Sequence, residues 1–301
     1  MVTVSDGDRS PADVNVPEDA PEPDETADPE SRDSAVEQGA KKVPQGLPLR
    51  VQNLEKRFGG ITAVDGASFA VEERSLTGLI GPNGAGKSTT FDLVTGVQTP
   101  DSGKVYFQGE EITGSRPHAV SQRGLVRTFQ IAREFEAMTV LENVMLAPGG
   151  QSGESITRSV LPGLRSRVVE EERALREDAW EILEFFEIDH LASEYAGNLS
   201  GGQRKLLEFA RALMTDPEVL LLDETFAGVN PTLEAKLLDR IHELREQEGL
   251  TFLLVEHDMD LIMENCDHVI VMHQGRVLDE GPPEQIRNNE DVIEAYLGGE
   301  V

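Results

Sequence analysis

One cysteine among 301 residues, Cys266, leaves no pair for an internal disulfide and fits a reducing interior. Long apolar runs are also missing. None approaches the ~18 to 20 residues that a membrane-spanning helix needs, so any membrane role has to come through a partner. The stretch Met1-Val2-Thr3-Val4-Ser5-Asp6 has neither a basic flank nor an apolar core, and a secretory signal is not expected. Basic residues are scarce, 27 against 56 acids, and only seven of the 27 are lysine. A formal charge of −29 repels nucleic acid and resembles the surfaces of proteins from high-salt cytoplasm, where self-repulsion is screened.

The acidity is not a tail effect. Residues 1–46 carry 12 of the acids and four of the bases, net −8, which leaves −21 on the rest. Those 46 residues alternate acids with Pro, Ser, Gly and Ala and hold almost no large apolar side chains, so they are expected to be a disordered acidic tail. From residue 47 to 301 the chain is expected to fold. The length prior allows about two domains, and 38% hydrophobic residues suffice for a core.

The stretch with most chemical content is Gly81-Pro82-Asn83-Gly84-Ala85-Gly86-Lys87-Ser88-Thr89. It follows an apolar run, Leu76 to Ile80, that reads as a buried strand, and precedes a helical pattern from Thr90 to Val94. The spacing G-x-x-x-x-G-K-[ST] in strand-to-helix context lets backbone N–H groups and a helix N-terminus surround an anion with several oxygens. Lys87 would reach the β- and γ-phosphates, and the Ser88 hydroxyl would ligate Mg²⁺. Taken alone, the loop says only that a nucleotide binds.

Strand-like segments run over Leu49 to Val51, Ala67 to Val71, Lys104 to Phe107 and Leu125 to Gln130. Phe58, on a glycine-rich turn, is either an adenine-stacking aromatic or an ordinary surface one. Helical periodicity follows from Thr139 to Leu146 and from Val168 to Ile188, where Trp180 is expected to pack core. Between them Pro148 to Gly163 reads as a surface loop. Ser200 stands where a helix cap belongs, ahead of Gly201, Gly202 and Gln203. Val219 to Leu222 is a continuous apolar strand ending in Asp223-Glu224, two carboxylates that need a cation or a chemical task. A helix from Thr232 to Gln247 and a strand from Thr251 to Val255 come next. His257 at that strand's end is either a ligand group or a structural partner of Asp258 or the next helix. Cys266, His268 and His273 flank what reads as a core strand, Val269 to Met272, and polar residues at its two ends diverge, which argues against a metal site. Pro283 to Leu297 reads as short helices.

Gly81 to Thr89, Gln130, Leu199 to Gln203, Val219 to Glu224 and His257 together resemble, in order and spacing, the ATP-binding-cassette ATPases, over about residues 48–298. The resemblance implies an α/β P-loop nucleotide-binding domain with an α/β core, an antiparallel β subdomain and a helical subdomain at about residues 131–200. It implies that Phe58 stacks on adenine and that Gly81, Asn83, Gly84, Gly86, Lys87, Ser88 and Thr89 hold ATP. Ser88, Gln130 and Asp223 would hold Mg²⁺, Glu224 would act as general base, and Gln130 and His257 would serve the γ-phosphate. Ser200, Gly201, Gly202 and Gln203 would complete the site of a second nucleotide-binding domain, from the same chain or a paralogue, in a head-to-tail dimer. Thr225 and Asn230 depart from the wider family's proline and aspartate, which bears on timing rather than competence.

Arg127-Thr128-Phe129-Gln130, Glu256-His257-Asp258-Met259 and the ending from Pro283 to Gly298 resemble the ATPase subunit of branched-chain amino acid importers. That implies transmembrane permease subunits, an extracytoplasmic substrate-binding protein and a peripheral place on the cytoplasmic face of the cell membrane. Urea, amide or lipid-glycan transporters are the alternative within the family. A soluble mechanical ATPase acting on DNA or ribosomes shares the motifs, but usually carries heptad insertions, tandem cassettes or basic patches. Ile131 to Val140, just past Gln130, is expected to dock the permease, with Ile131, Phe135, Met138 and Val140 as its apolar face and Arg133, Glu134 and Glu136 at the rim.

Overall fold

The computed structural model describes residues 46–128, 134–149 and 162–297. Residues 1–45 of the expected acidic tail, Gln130, and residues 150–161 of the surface loop expected from Pro148 to Gly163 lie outside the described residues, while Pro162 and Gly163 at the end of that expected loop already belong to a helix.

Two sheets form the frame. The first is antiparallel, with β1 (Leu49–Phe58) between β2 (Ile61–Val71) and β4 (Ser102–Phe107), and with the two-residue β5 (Glu110–Glu111) beyond β4. The second has six strands in the order β10 (Arg276–Gly281), β9 (His268–His273), β3 (Leu76–Ile80), β8 (Thr251–Val255), β7 (Val219–Asp223) and β6 (Leu125–Arg127). It is parallel except for β10, which returns antiparallel to β9 through Gln274-Gly275. Both turn residues have positive φ, as a two-residue hairpin requires. Leu76 to Ile80 therefore leaves its sequence neighbours for the central sheet. The edge strand β10 gave no apolar run to read, because its residues alternate between exposed and half-buried positions.

The central strands are apolar throughout because both faces are covered. Leu76, Ile80, Leu220, Leu222, Phe252 and Leu254 enter one core. Leu79, Leu221, Leu253 and Val255 enter the other, shared with the antiparallel sheet and with α1 (Lys87–Val94). A side chain on Gly78 would meet Ile262 Cγ2 at 2.7 Å, so the close seating of a short helix (Met259–Asn265) on β3 requires glycine there.

The remaining helices in order are α2 (Pro117–Ser121), α3 (Val140–Met145), α4 (Pro162–Phe185), α5 (Gly201–Leu213), α6 (Pro231–Glu243), α7 (the Met259–Asn265 helix), α8 (Pro283–Arg287) and α9 (Glu290–Leu297). Thr139 and Glu142 form a capping box that starts α3, and Ser200 and Gln203 form another that starts α5. Val140, Val144, Ala179, Leu183 and Phe186 are buried in the same core as one face of the central sheet, so the helical region shares its core with the α/β body. Trp180 does not pack there. It is 41% exposed and its Nε1 donates to Glu184 Oε1 at 2.8 Å. The buried stripe of α4 is Ala179 and Leu183, and the next residue along points about 100° away from it.

Strand register sets the site. Leu79 lies beside Val255, and Val255 beside Asp223, so β3, β8 and β7 end level with one another. Whatever follows these strands gathers at one carboxyl edge, where open α/β sheets place ligands.

Candidate nucleotide-binding site

The phosphate loop leaves β3 at Gly81. A Cβ there would stand 2.1 Å from the Met272 carbonyl oxygen, and one on Gly86 would stand 2.4 Å from that of Ala63. Both positions demand glycine because other backbone presses on them. Gly84 has φ 79° and open space around it, and Asn83 is exposed beside it. Gly275 donates its N–H to the Ala85 carbonyl at 3.0 Å and accepts from the Asp65 N–H at 2.8 Å, which ties the loop to β2.

Lys87 opens α1 and is almost buried. Its ammonium donates to the carbonyls of Gly81 at 2.7 Å and Pro82 at 3.3 Å. Burial pulls its pKa below the usual lysine value, and the charges of Glu224 and Asp223 act in the opposite direction. Ser88 is exposed and Thr89 half-buried on the first turn of α1.

Asp223 closes β7 and is 3% exposed. Its Oδ2 accepts from Arg127 Nη2 at 2.6 Å, and Arg127 Nη1 donates to Asp92 Oδ1, also at 2.6 Å. The guanidinium stands 5.6 Å from the Phe91 ring centroid. Glu224 turns the chain out of the sheet with φ 49°, its N–H donating to the Val255 carbonyl at 2.9 Å. A left-handed non-glycine residue is strained, and such strain clusters at functional sites. Glu224 Oε1 lies 2.8 Å from His257 Nε2. Asp258 is engaged elsewhere, accepting from the N–H groups of Asp260 and Leu261 to cap α7.

Glu256 faces inward between these residues and accepts from the Phe226 N–H at 2.9 Å. Burial raises its pKa to about 7, helped by the charge of Glu224 and opposed by hydrogen bonds from Phe226 and His257. Thr225 is buried with its hydroxyl 3.3 Å from that of Thr128. Asn230 caps α6, accepting from the Leu233 N–H at 2.9 Å.

The structure thus brings Gly81 to Thr89, Asp223, Glu224 and His257 to one edge. Phe58 ends β1 with its ring 46% exposed, on the hairpin whose second strand reaches Gly86 through Ala63. Ser200 to Gln203 stand apart: among the described residues no hydrogen bond or ion pair joins them to the phosphate loop. Ser200 and Gln203 satisfy each other across the first turn of α5, and Gly201 has open space where a side chain would be. His268 and His273 sit at opposite ends of β9, and Cys266 lies buried against Gly78. The donors Ser88 and Asp223 are hard oxygens, which suit Mg²⁺.

Three residues here were given no individual role by the sequence, although Arg127 and Tyr296 lie in stretches that carry the importer resemblance. Arg127 pairs with Asp92 across 35 positions and with Asp223 across 96, which no local pattern reveals. Tyr296 of α9 packs beside the loop, where burial raises its pKa to about 12 against a hydrogen bond with the Gly81 backbone. A cavity of about 740 Å³ lies between Asn83, Gly84, Ala85 and the α9 residues Asp291 and Glu294.

A family model described as ABC transporter matches residues 64–227, and one described as branched-chain amino acid ATP-binding cassette transporter matches residues 276–301. The probable branched-chain amino acid transport ATP-binding protein LivG of Archaeoglobus fulgidus is 47% identical over 252 residues, covering 84% of this chain and 96% of its own. The high-affinity branched-chain amino acid transport ATP-binding protein BraF of Pseudomonas aeruginosa is 43% identical over 252 residues, covering 83% and 97%. A crystal structure of a nucleotide-free ATP-binding cassette from an ABC transporter aligns with TM-score 0.71 at 40% identity, over 83% of this chain and 98% of that one. With a family match across more than half its length and such identity over most of it, the chain belongs to the ABC transporter family, as an ATP-binding cassette.

Proposed function

We propose that this chain is the ATP-hydrolysing subunit of a membrane importer for branched-chain amino acids. The observation that carries the hydrolytic part is the level ending of β3, β7 and β8, which sets Lys87, Asp223, Glu224 and His257 on one edge. The transported class rests on the relatives named for branched-chain amino acid transport and on the match at residues 276–301.

In this reading the loop N–H groups from Gly81 to Thr89 bind the phosphates, Lys87 turns from the loop carbonyls to the γ-phosphate, and Phe58 stacks on adenine. Ser88, Asp223 and Gln130 would hold Mg²⁺, which supplies neutralisation of phosphate charge. Glu224 takes the proton of the attacking water. His257, in contact with Glu224, orients that carboxylate and reaches the γ-phosphate. The first turn of α5, with the N–H groups of Gly201 and Gly202 and the Ser200 side chain, would receive the nucleotide of a second cassette, so that binding joins two cassettes and hydrolysis releases them. No described helix is long and apolar enough to cross a membrane, so attachment to the cytoplasmic face runs through permease subunits, with an extracytoplasmic binding protein delivering substrate.

The test is reconstitution of this chain with its copurified membrane subunits and binding protein in vesicles. ATP-dependent uptake of leucine, isoleucine or valine is expected. Stimulation of ATP turnover by urea, short amides or a lipid-linked glycan, with none by these amino acids, overturns the substrate assignment.

A further inference from the structure

Three ionic side chains meet where α1, β6 and β7 converge. The Arg127 fork donates one nitrogen to Asp92 and the other to Asp223, each at 2.6 Å. The side chains of Arg127 and Asp223 are 16% and 4% exposed, that of Asp92 30%. Arg127 Nε is buried and has no partner among the described residues. Burying charges in this way is a poor route to stability, since well-packed apolar side chains of similar volume often serve as well or better. What it does deliver is a fixed geometry, because a planar guanidinium bridging two carboxylates fixes their separation and orientation.

The geometry in question involves the metal donors. Asp92 stands four residues after Ser88 on α1, so the two share a helix face. Arg127 therefore links the face that carries Ser88 to the strand end that carries Asp223. We infer that Arg127 is a positioning residue which, through Asp92, holds the Asp223 carboxylate in register with Ser88 for Mg²⁺. In this role it acts through Asp223 and Asp92 rather than by contact with nucleotide or metal. The inference rests on the hydrolytic reading above.

The test uses Arg127→Met, Arg127→Lys and Asp92→Asn in the full chain, with two readouts. One is the rise in unfolding temperature when Mg²⁺ is added to protein saturated with ATP in EDTA, measured in a Glu224→Gln background so that nothing turns over. The other is the Mg²⁺ concentration for half-maximal turnover in the active chain. Arg127→Met is expected to abolish most of the Mg²⁺-dependent rise and to raise half-saturation about tenfold, with metal-free ATP binding within threefold of the parent; misplacement of about 1 Å can cost on the order of 10²-fold in rate. Arg127→Lys keeps the charge but cannot span both carboxylates, so it should recover stability without the Mg²⁺ response. Asp92→Asn should have little further effect once Arg127 is Met, since the two act as one unit. A Mg²⁺ response within twofold of the parent in both Arg127 variants overturns the inference, as does a variant that loses only nucleotide-free stability. Absence of Mg²⁺-dependent hydrolysis in the unsubstituted chain would instead overturn the hydrolytic reading.

Discussion

His257 Nε2 lies 2.8 Å from Glu224 Oε1, joining the residue after β7 to the second residue after β8. Both strands end level, so neither side chain has to reach far, and the strained φ of Glu224 turns its carboxylate out of the sheet. Replacing Glu224 with Gln keeps shape and removes the proton acceptor. Turnover is expected to fall by about 10² to 10⁴-fold with ATP binding retained. Light scattering with Mg-ATP should then show a stable dimer, of this chain or with a paralogous ATPase. Phosphate release within threefold of the unsubstituted chain would remove Glu224 from the role of base.

Glu256 gives the site a pH signature. Its carboxyl is raised from 4.5 to about 7, so the native state holds a proton that the unfolded chain has already released. The resulting stabilisation is complete below pH 4.5 and disappears as pH rises through about 7. Glu256→Gln keeps an oxygen to accept from Phe226 and cannot ionise. Relative to the parent, it is expected to gain unfolding temperature as pH rises from 4.5 to 8, by about 2 to 4 °C per kcal/mol recovered. Melting curves across that range check it; a constant difference would mean that Glu256 stays ionised.

What could be read without coordinates follows from how local each signal is. Leu76 to Ile80 and Thr251 to Val255 appear as strands with the same bounds, because a strand covered on both faces must be apolar at every position. The Ser200 cap was visible because its partner, Gln203, is three residues away. Arg127 was not, because its meaning comes from Asp92 and Asp223, which only folding places beside it. Trp180 misled in the opposite direction. Its size argues for burial, while the period of α4 puts Ala179 and Leu183 inward and leaves the indole at the surface.

Salt should govern stability. Residues 47–301 carry −21, and one cleft of about 920 Å³ gathers Glu73, Asp178, Glu181, Asp216, Glu218 and Glu248 around Arg74. The screening length grows from ~3 Å at 1 M to ~10 Å at 0.1 M, so these carboxylates repel one another more strongly in dilute salt. The unfolding midpoint is expected to drop on moving from 2 M to 0.1 M KCl. A midpoint equal or higher in 0.1 M would show that the acidic surface is no adaptation to salt.

The permease face can be narrowed to a few residues. Of the segment expected to dock, residues 131–133 lie outside the described residues. Val140 is fully buried on α3 and belongs to the core, so it cannot receive a partner. The Glu134 side chain is 7% exposed and pairs with Arg204 at 3.4 Å, which takes it off the rim as well. Phe135, Glu136 and the half-buried Met138 remain, and of these Phe135 is 47% exposed, with the Arg211 guanidinium 5.4 Å from its ring centroid. Its backbone is pinned on both sides by Asn143, which accepts from the Phe135 N–H at 2.8 Å and donates to its carbonyl at 3.1 Å. A rigidly held, half-exposed aromatic on a cation is what an interface anchor needs, since little further ordering is lost on binding. Phe135→Asp is therefore expected to abolish copurification with the membrane subunits. Because the ring is not core, the melting temperature should stay close to that of the parent, as surface substitutions usually fall within about 0.5 kcal/mol. A large loss of melting temperature, with the surviving protein still assembling, would place Phe135 among the structural residues and move the docking face elsewhere.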